Sequence, residues 1–376
     1  AVSVDENFLN LSPTADLLFL NSLQEENDAR GWLLLEHLKV WQDWNATPGN
    51  PFYQKVDLNK LALMGHSRGG EAVAVAVAFN HLPFYPDDAS LAFDYNFNIC
   101  SVVAIAPVDA QYLPADQLIP LENVNYLVLH GAQDMDVTSF AGARQYERIR
   151  FTDGQFRVKA GVYIYGANHG QFNTVWGRKD GIEPGMRLMN LTRLVSPEEQ
   201  RQIAKVYISA FLEATLHDQS AYLGLLRDHR TAADWLPDTI YISQYLDSTT
   251  QMIGDYEEDL NVVTTTLPDG RLQGQNLTVW REQVVPLKWD TLDTNAVYLG
   301  WDTTVERAVP VYEITLPEGD PIPGDDSVLV MSLANANELP TAEAKEANTG
   351  LIDLTIEVTD RRGVTARLPL SHFAYL

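Results

Sequence analysis

The sequence predicts a parallel α/β domain over residues 1–236, followed by an all-β sandwich of jelly-roll type over residues 237–376. Before Leu236-Pro237, short apolar runs alternate with helical patterns, which is typical of a parallel sheet covered by helices. After it, alternating apolar and polar residues separated by turn residues replace the helical patterns. The change of pattern marks the predicted domain boundary.

The elements of the first domain follow in order along the chain. Its predicted strands are rich in Val, Ile, Leu and Ala, as strands buried on both faces should be, and lie at Ala1–Val4, Lys60–Met64, Ile99–Ala106, Tyr126–His130 and Val158–Tyr165. Helices are expected near Asp28–Trp44, Gly70–Phe79 and Ser139–Arg148. Ser196 begins a further helix, because Pro197 takes its first position and Glu199 completes a capping box. A short helix is predicted over Ala221–Trp235.

The second domain is predicted to consist almost entirely of short strands. Alternating runs lie at Gln283–Trp289, Val311–Leu316, Val328–Leu333 and Ile352–Val358, with one short helix at Thr341–Ala347. The acidic segment Glu318–Asp326 could hold Ca²⁺ through its oxygen atoms, but its spacing favours a solvated turn.

The most informative motif is Gly-x-Ser-x-Gly, formed by Gly65, Ser67 and Gly69 between an apolar strand and a helix-forming run. This context is typical of a nucleophile elbow, in which a strained turn projects the serine hydroxyl into a site. Gly65 and Gly69 leave space for the turn, and Gly70 lets the helix pack closely. The alternative is a structural turn whose serine only caps the helix.

On these residues the chain resembles the α/β-hydrolase superfamily, in particular the esterases related to dienelactone hydrolases, chlorophyllases and platelet-activating-factor acetylhydrolases. The resemblance covers roughly residues 1–216. It implies an acid and then a histidine in loops after later strands, in the order Ser, Asp, His.

Both implied residues are present. Gly131-x-x-Asp134-x-x-Val137 matches the acid loop of the family, so Asp134 is assigned as the acid. Asp136 is the competitor, Asp109 is a weaker one, and a helix cap is the structural alternative for Asp134. His169 follows the strand Val158–Tyr165 in a glycine-flanked loop and is assigned as the base.

The oxyanion hole of the family needs two backbone N–H groups, and the residue after the nucleophile, Arg68, supplies one. The predicted strand Ala1–Val4 matches the fourth strand of the family, so the first three strands are expected to be missing. Ala1–Val4 would then pair beside the nucleophile strand, and the N–H of Glu6 or Asn7 would supply the second donor. The exposed sheet edge is expected to be covered by a second copy of the chain or by the C-terminal domain.

The substrate pocket is predicted to involve His66, Phe172 and Trp176, because ester pockets are mostly apolar. Packing against the last helix is the alternative for the insert 172–195. No His-x-x-x-His or other metal-ligand spacing occurs, and one cysteine excludes a cysteine-rich metal site. The reaction is therefore expected to need no metal and no cofactor.

The composition limits the partners and the surroundings of the protein. A net charge of −25 disfavours nucleic acid and anionic membranes as partners, and no apolar run is long enough to span a membrane. A strongly acidic, lysine-poor surface suits a saline habitat, although an ordinary acidic bacterial protein is the alternative. The start of the chain has no basic leader, so no signal peptide is expected, and the cellular location is left unassigned.

Together these observations predict a serine carboxylesterase that acts on a small-molecule ester through Ser67, His169 and Asp134. The competing hypothesis is an inactive, truncated hydrolase-like scaffold whose β domain binds a carbohydrate or another protein. The intact Ser, Asp and His favour the enzyme, and the missing strands favour the scaffold.

Overall fold

The computed structural model describes residues 26–137, 140–180, 191–286, 291–302, 304, 309–317, 327–336 and 352–372. Its α-helices are α1 (Asn27–Ala46), α2 (Arg68–Phe79), α3 (Gly142–Arg148), α4 (Pro197–Leu216) and α5 (Leu223–Arg227). The first nine strands are β1 (Leu61–His66), β2 (Phe84–Tyr85), β3 (Asp88–Ala92), β4 (Ile99–Ile105), β5 (Leu121–Glu122), β6 (Asn125–Gly131), β7 (Ile149–Arg150), β8 (Val158–Ile164) and β9 (Tyr241–Asp247). Strands β10 to β15 are Arg271–Gln275, Val279–Pro286, Thr291–Gly300, Val311–Thr315, Thr355–Thr359 and Thr365–Pro369.

A five-stranded, mostly parallel sheet in the order β1-β4-β6-β8-β9 forms the centre of the first part of the chain. Strands β1, β4, β6 and β8 are parallel, and β9 pairs with β8 in the antiparallel direction. The carboxyl ends of the four parallel strands therefore meet along one edge of the sheet. The loops that carry Ser67, Asp134 and His169 all leave the sheet along this edge.

Helices cover both faces of this sheet, because successive residues of a strand point to opposite sides. Val102 and Ala104 of β4 belong to the core formed with α1 and α2. Val103 and Ile105 belong to the other core, which is formed with α4 and α5. All four are buried, which explains why residues 102–105 of the strand form an uninterrupted apolar run.

Helix α4 has the predicted N-terminus. The Ser196 hydroxyl accepts a hydrogen bond from the N–H of Glu199 at 3.2 Å, and the Glu199 carboxylate accepts one from the N–H of Ser196 at 2.8 Å. Pro197 occupies the first turn. Ile203, Tyr207 and Phe211 are then buried on one face, as helical spacing requires.

Two predicted features of the first domain differ from the structure. The predicted helix Ala221–Trp235 is divided into the single turn Ser220–Tyr222, α5 and the 3₁₀ turn His229–Ala232. Asp228 interrupts the helical backbone with φ −149° and caps the last turn by accepting from the N–H of Arg230. In addition, β9 lies beyond residue 236, so the sheet extends past the predicted boundary, and the first unit of the chain continues to Gln251 and also includes Val284–Thr294.

The second unit comprises Met252–Gln283 and Asn295–Leu376. In the described part of this unit, β10 pairs with β13 and β14 pairs with β15, both antiparallel, while β11 and β12 form another two-stranded sheet at the division between the units. These small sheets agree with the predicted β content, and the sandwich stays a prediction. The predicted strand at 328–333 is wrong, because that segment has no regular secondary structure, pairs with no other described residue and exposes its apolar side chains.

Several sequence predictions lie outside the described residues. They are the strand Ala1–Val4, the donors Glu6 and Asn7, the segment Glu318–Asp326 and the helix Thr341–Ala347. Strand β1 lies at an edge of the described five-stranded sheet. No helix in the described part of the chain combines the length and the apolar character needed to cross a membrane.

Candidate active site

Ser67 occupies the turn between β1 and α2 with φ 60° and ψ −125°, a conformation that residues other than glycine rarely adopt. Backbone strain of this kind costs about 1–3 kcal/mol and persists only when neighbouring contacts hold it. Here the Ser67 N–H donates to the carbonyl of Ile105 at 2.9 Å, and its carbonyl accepts from the N–H of Gly70 at 2.8 Å. The Ser67 side chain makes no capping hydrogen bond to α2, which argues against the alternative of a serine that only caps the helix.

Gly65 of the motif and Gly70 just after it are required by the close approach of neighbouring atoms. A Cβ atom on Gly65 would lie 1.9 Å from the carbonyl oxygen of Gly69, and one on Gly70 would lie 2.5 Å from Cβ of Pro107. Any larger residue at these positions would push the turn apart. The predicted need for small residues at Gly65 and Gly70 therefore has a direct steric reason.

His169 and Asp134 are joined by a buried hydrogen bond. The Nδ1 of His169 lies 2.8 Å from Oδ2 of Asp134, and the residues are 2% and 5% exposed. The other carboxylate oxygen, Oδ1, accepts from the N–H groups of Asp136 at 3.0 Å and Val137 at 2.7 Å. Helix α3 begins later and has Ala141 at its N-cap, so Asp134 does not cap that helix.

The second ring nitrogen of His169 faces a different carboxylate. Nε2 lies 3.3 Å from Oδ2 of Asp136, but without hydrogen-bond geometry, and it has no hydrogen-bond partner among the described residues. Nε2 of His169 therefore makes no hydrogen bond to Ser67 in this structure. Catalytic hydrogen bonds of this type often tighten only when substrate binds. Asp136, the sequence-based competitor for the acid, contacts the nitrogen that Asp134 leaves open.

Two of the residues predicted to line the substrate pocket, His66 and Trp176, contact the ring of His169, and the third, Phe172, contacts His66. The ring of His66 lies 4.7 Å from that of His169, and the Trp176 ring stacks on His169 at 5.7 Å with an interplanar angle of 8°. Phe172 meets His66 edge-on at 6.0 Å. Because His66 immediately precedes Ser67, these ring contacts also bring the serine turn and the histidine loop together. Their predicted role in binding substrate stays a prediction.

The histidines of the site have opposite pKa shifts. Burial opposes a charge on His169, but its hydrogen bond to Asp134 and the charges of Asp134, Asp136 and Asp180 outweigh this and raise its pKa above 6.5. Burial, together with the neighbouring His169, lowers the pKa of His66 to about 3. Burial also lowers the pKa of His130, whose Nε2 lies 2.8 Å from the carbonyl of Val137. His169 is thus the histidine that the local charges favour as a proton acceptor.

The weaker acid candidate, Asp109, is engaged elsewhere. Its carboxylate forms a two-pronged ion pair with Arg148, including a 3.1 Å contact from Nη1, and its side chain is 3% exposed. The structure therefore joins Asp134 to His169 at the edge of the sheet where Ser67 also lies, and it pairs Asp109 with Arg148 instead. The backbone of Arg68, the sequence-predicted oxyanion donor, begins α2 directly after Ser67.

Two polar residues near the site were missed by the sequence analysis. Asp180 accepts hydrogen bonds from the backbone of the histidine loop, and no periodicity or motif marks it within the insert 172–195. Gln200 of α4 is fully buried and both accepts from the N–H of Asn168 and donates to its carbonyl. Its spacing from Ile203 and Tyr207 would have placed Gln200 on the buried face of the helix, which is a usable signal.

No cluster of three or more His, Cys, Asp or Glu side chains within the described ranges is arranged to hold a metal ion. Comparison with protein-family models found no match, and comparison with curated proteins found none either. The function must therefore be argued from the residues of the site and their geometry.

Proposed function

We propose that the protein is a serine carboxylesterase of α/β-hydrolase type, with Ser67 as nucleophile, His169 as base and Asp134 as the residue that orients the base. The observation that carries the proposal is the combination of a strained serine turn with a buried histidine–aspartate hydrogen bond at the same edge of a parallel sheet. Nucleophile elbows have this backbone strain, and triads have this hydrogen bond. Ester rather than amide hydrolysis is favoured by the family resemblance of the motifs.

The proposed reaction begins at the serine hydroxyl. Oγ of Ser67 bonds to the ester carbonyl carbon while its proton passes to Nε2 of His169, after which the tetrahedral intermediate expels the alcohol, which takes that proton. Water then attacks the acyl-enzyme with His169 again as base and releases the carboxylic acid. Asp134 keeps the proton on Nδ1 and stabilises the imidazolium formed in each half of the reaction.

The geometry of α2 supports the stabilisation of the oxyanion. The N–H of Arg68 lies in the first turn of this helix, whose N-terminus carries a partial positive charge. A second donor is needed by the proposal, and Glu6 and Asn7 stay the predicted candidates. His66, Phe172 and Trp176 are proposed to contact the substrate, because His66 and Trp176 lie against the ring of the base and Phe172 lies against His66.

The test is hydrolysis of a panel of short-chain p-nitrophenyl esters by the wild type and by Ser67→Ala. We expect the substitution to lower kcat by roughly 10⁴- to 10⁶-fold, as for other serine hydrolases. Ser90→Ala, which replaces an exposed serine of β3, is the matched control and should retain full activity. A fluorophosphonate should label the wild type once, on the peptide that contains Ser67.

Two results would contradict the proposal. Turnover that survives in Ser67→Ala would exclude the triad, and labelling of another residue would relocate the nucleophile. Absence of both turnover and labelling in the wild type would favour the competing hypothesis of an inactive scaffold.

A further inference from the structure

We propose that Asp180 is a positioning residue of this site. Its carboxylate holds the loop that carries the proposed base, His169, against the loop that carries the proposed acid, Asp134. This inference rests on the proposed function. Oδ2 of Asp180 accepts from the backbone N–H of His169 at 2.9 Å and of Met135 at 3.2 Å. Oδ1 accepts from the N–H of Gly170 at 2.9 Å and from the side-chain amide of Asn168 at 2.7 Å.

These partners come from both loops that the proposed mechanism needs. Met135 follows the acid Asp134 directly, and His169 is the base itself. A single carboxylate oxygen, Oδ2, therefore joins the backbone beside the acid to the backbone of the base. Charge-assisted hydrogen bonds of this kind are stronger than neutral ones, so the link restrains the relative position of the two loops. The restraint holds Nδ1 of His169 at 2.8 Å from Asp134.

Asp180 also stabilises the 3₁₀ turn that follows His169. His169 is the N-cap of the 3₁₀ turn Gly170–Phe172, and the first N–H groups of such a turn have no partner within it. Asp180 accepts the N–H groups of His169 and Gly170, while Asn168 accepts from the N–H of Gln171 at 3.0 Å. A neutral amide in place of Asp180 would direct its NH₂ group toward some of these donors and lose contacts.

The charge of Asp180 gives this role a measurable signature. The titratable groups that face His169 in the described structure are His66, His130, Asp134, Asp136 and Asp180. Asp180 is one of three carboxylates that favour the protonated imidazole, so its neutralisation should lower the pKa of His169. A residue that only filled space would leave that pKa unchanged.

The test measures the His169 imidazole pKa by NMR titration of the full chain, together with kcat and KM on a p-nitrophenyl ester. In Asp180→Asn we expect a lower pKa for His169, and kcat reduced by about 10- to 100-fold with a smaller change in KM. Asp360→Asn is the matched control, because Asp360 accepts from the backbone N–H of Arg362 and Val364 in a turn of the second unit. It should change neither quantity. Unchanged pKa and kcat in Asp180→Asn would overturn the proposal.

Asp180→Glu separates charge from position. It keeps the carboxylate but moves the acceptor oxygens by one methylene, so the pKa of His169 should stay raised while kcat falls; an unchanged kcat would contradict the proposal. Both variants should fold, since neither hydrophobic core includes Asp180, and loss of the fold in both would make the residue structural instead. If the wild type hydrolyses no ester, the proposed function fails, but the NMR titration still tests the effect of Asp180 on His169. If Asp180→Asn retains normal Ser67-dependent turnover, the positioning role is refuted and the proposed function is not.

Discussion

His66 and His169 are neighbouring imidazoles that the surrounding protein treats in opposite ways. The ring of His169 is hydrogen-bonded to a carboxylate and is charged more readily than a free histidine. Burial of the His66 ring and the neighbouring His169 oppose a positive charge on it, and the charge of Asp134 offsets this only in part. His66 is therefore neutral at neutral pH, and protonating it opposes folding.

This contrast predicts an acid-sensitive contribution to stability. Because the pKa of His66 falls from 6.5 to about 3 on folding, the unfolded chain binds the proton first as the pH is lowered. The contribution of His66 is complete above pH 6.5 and declines below it, by about 1.4 kcal/mol of unfolding free energy for each pH unit. Urea unfolding of the wild type and of His66→Gln between pH 5 and pH 8 measures the difference.

The substitution should flatten the pH dependence, so that the wild type loses stability relative to the variant as the pH is lowered from 8 to 5. His81→Gln replaces an exposed histidine outside the site and serves as the control for the loss of a histidine as such. Parallel profiles for the wild type and His66→Gln would show that His66 is not buried as a neutral ring.

At the scale of elements, the connection from β1 to α2 depends on Gly65. A Cβ atom there would lie 1.9 Å from the carbonyl oxygen of Gly69, which is a backbone atom that cannot rotate away. We expect Gly65→Ala to lower the free energy of unfolding by more than about 3 kcal/mol and to reduce activity, because the turn that presents Ser67 must open. Thermal and denaturant unfolding provide the measurement.

Gly224→Ala is the matched control for this prediction. Gly224 lies in α5, where a new Cβ atom would meet only the Thr231 hydroxyl oxygen at 3.8 Å. Alanine should be neutral or slightly stabilising there, because it reduces the conformational freedom of the unfolded chain. Equal effects of the two substitutions would refute the steric explanation of the motif.

Some helices and strands could be predicted from local sequence, and others could not. Helix α4 has its capping box, and β4 and β6 have uninterrupted apolar runs, so each was predicted to within a few residues. The segment after residue 220 was predicted as one helix, but Asp228 breaks it by capping a new turn. Segment 328–333 is mostly apolar, like a buried strand, but a strand also needs a partner, and none pairs with it in the described structure.

At the scale of the whole molecule, β9 shows where the first unit ends. The strand begins after the predicted boundary at residue 236 and pairs with β8 along its full length, from Val158 opposite Asp247 to Ile164 opposite Tyr241. Its apolar residues are mixed with polar ones, so local sequence cannot distinguish it from a strand of the second domain. β9 belongs to the first unit because it pairs with the edge of β8.

We therefore expect a fragment of residues 1–251 to be more stable than one of residues 1–236. Without β9, the outer hydrogen-bonding groups of β8 would lose their partners. The difference should be at least about 2 kcal/mol, or roughly 4–8 °C in Tm, by thermal unfolding. Both fragments lack residues 252–376, so the difference in their stability measures the contribution of residues 237–251, which include β9. Equal stability would show that β9 does not stabilise the first unit.

The sequence by itself determined the type of fold in the first unit and the identity of Ser67, Asp134 and His169 as candidate site residues, because local patterns carry this information. Buried parallel strands need continuous apolar runs, and a sharp turn next to a serine needs glycines. Only the tertiary structure decided that Asp134 rather than Asp136 bonds Nδ1 of His169. It also revealed Asp180, because a carboxylate that binds backbone N–H groups of distant loops leaves no trace in the residues beside it.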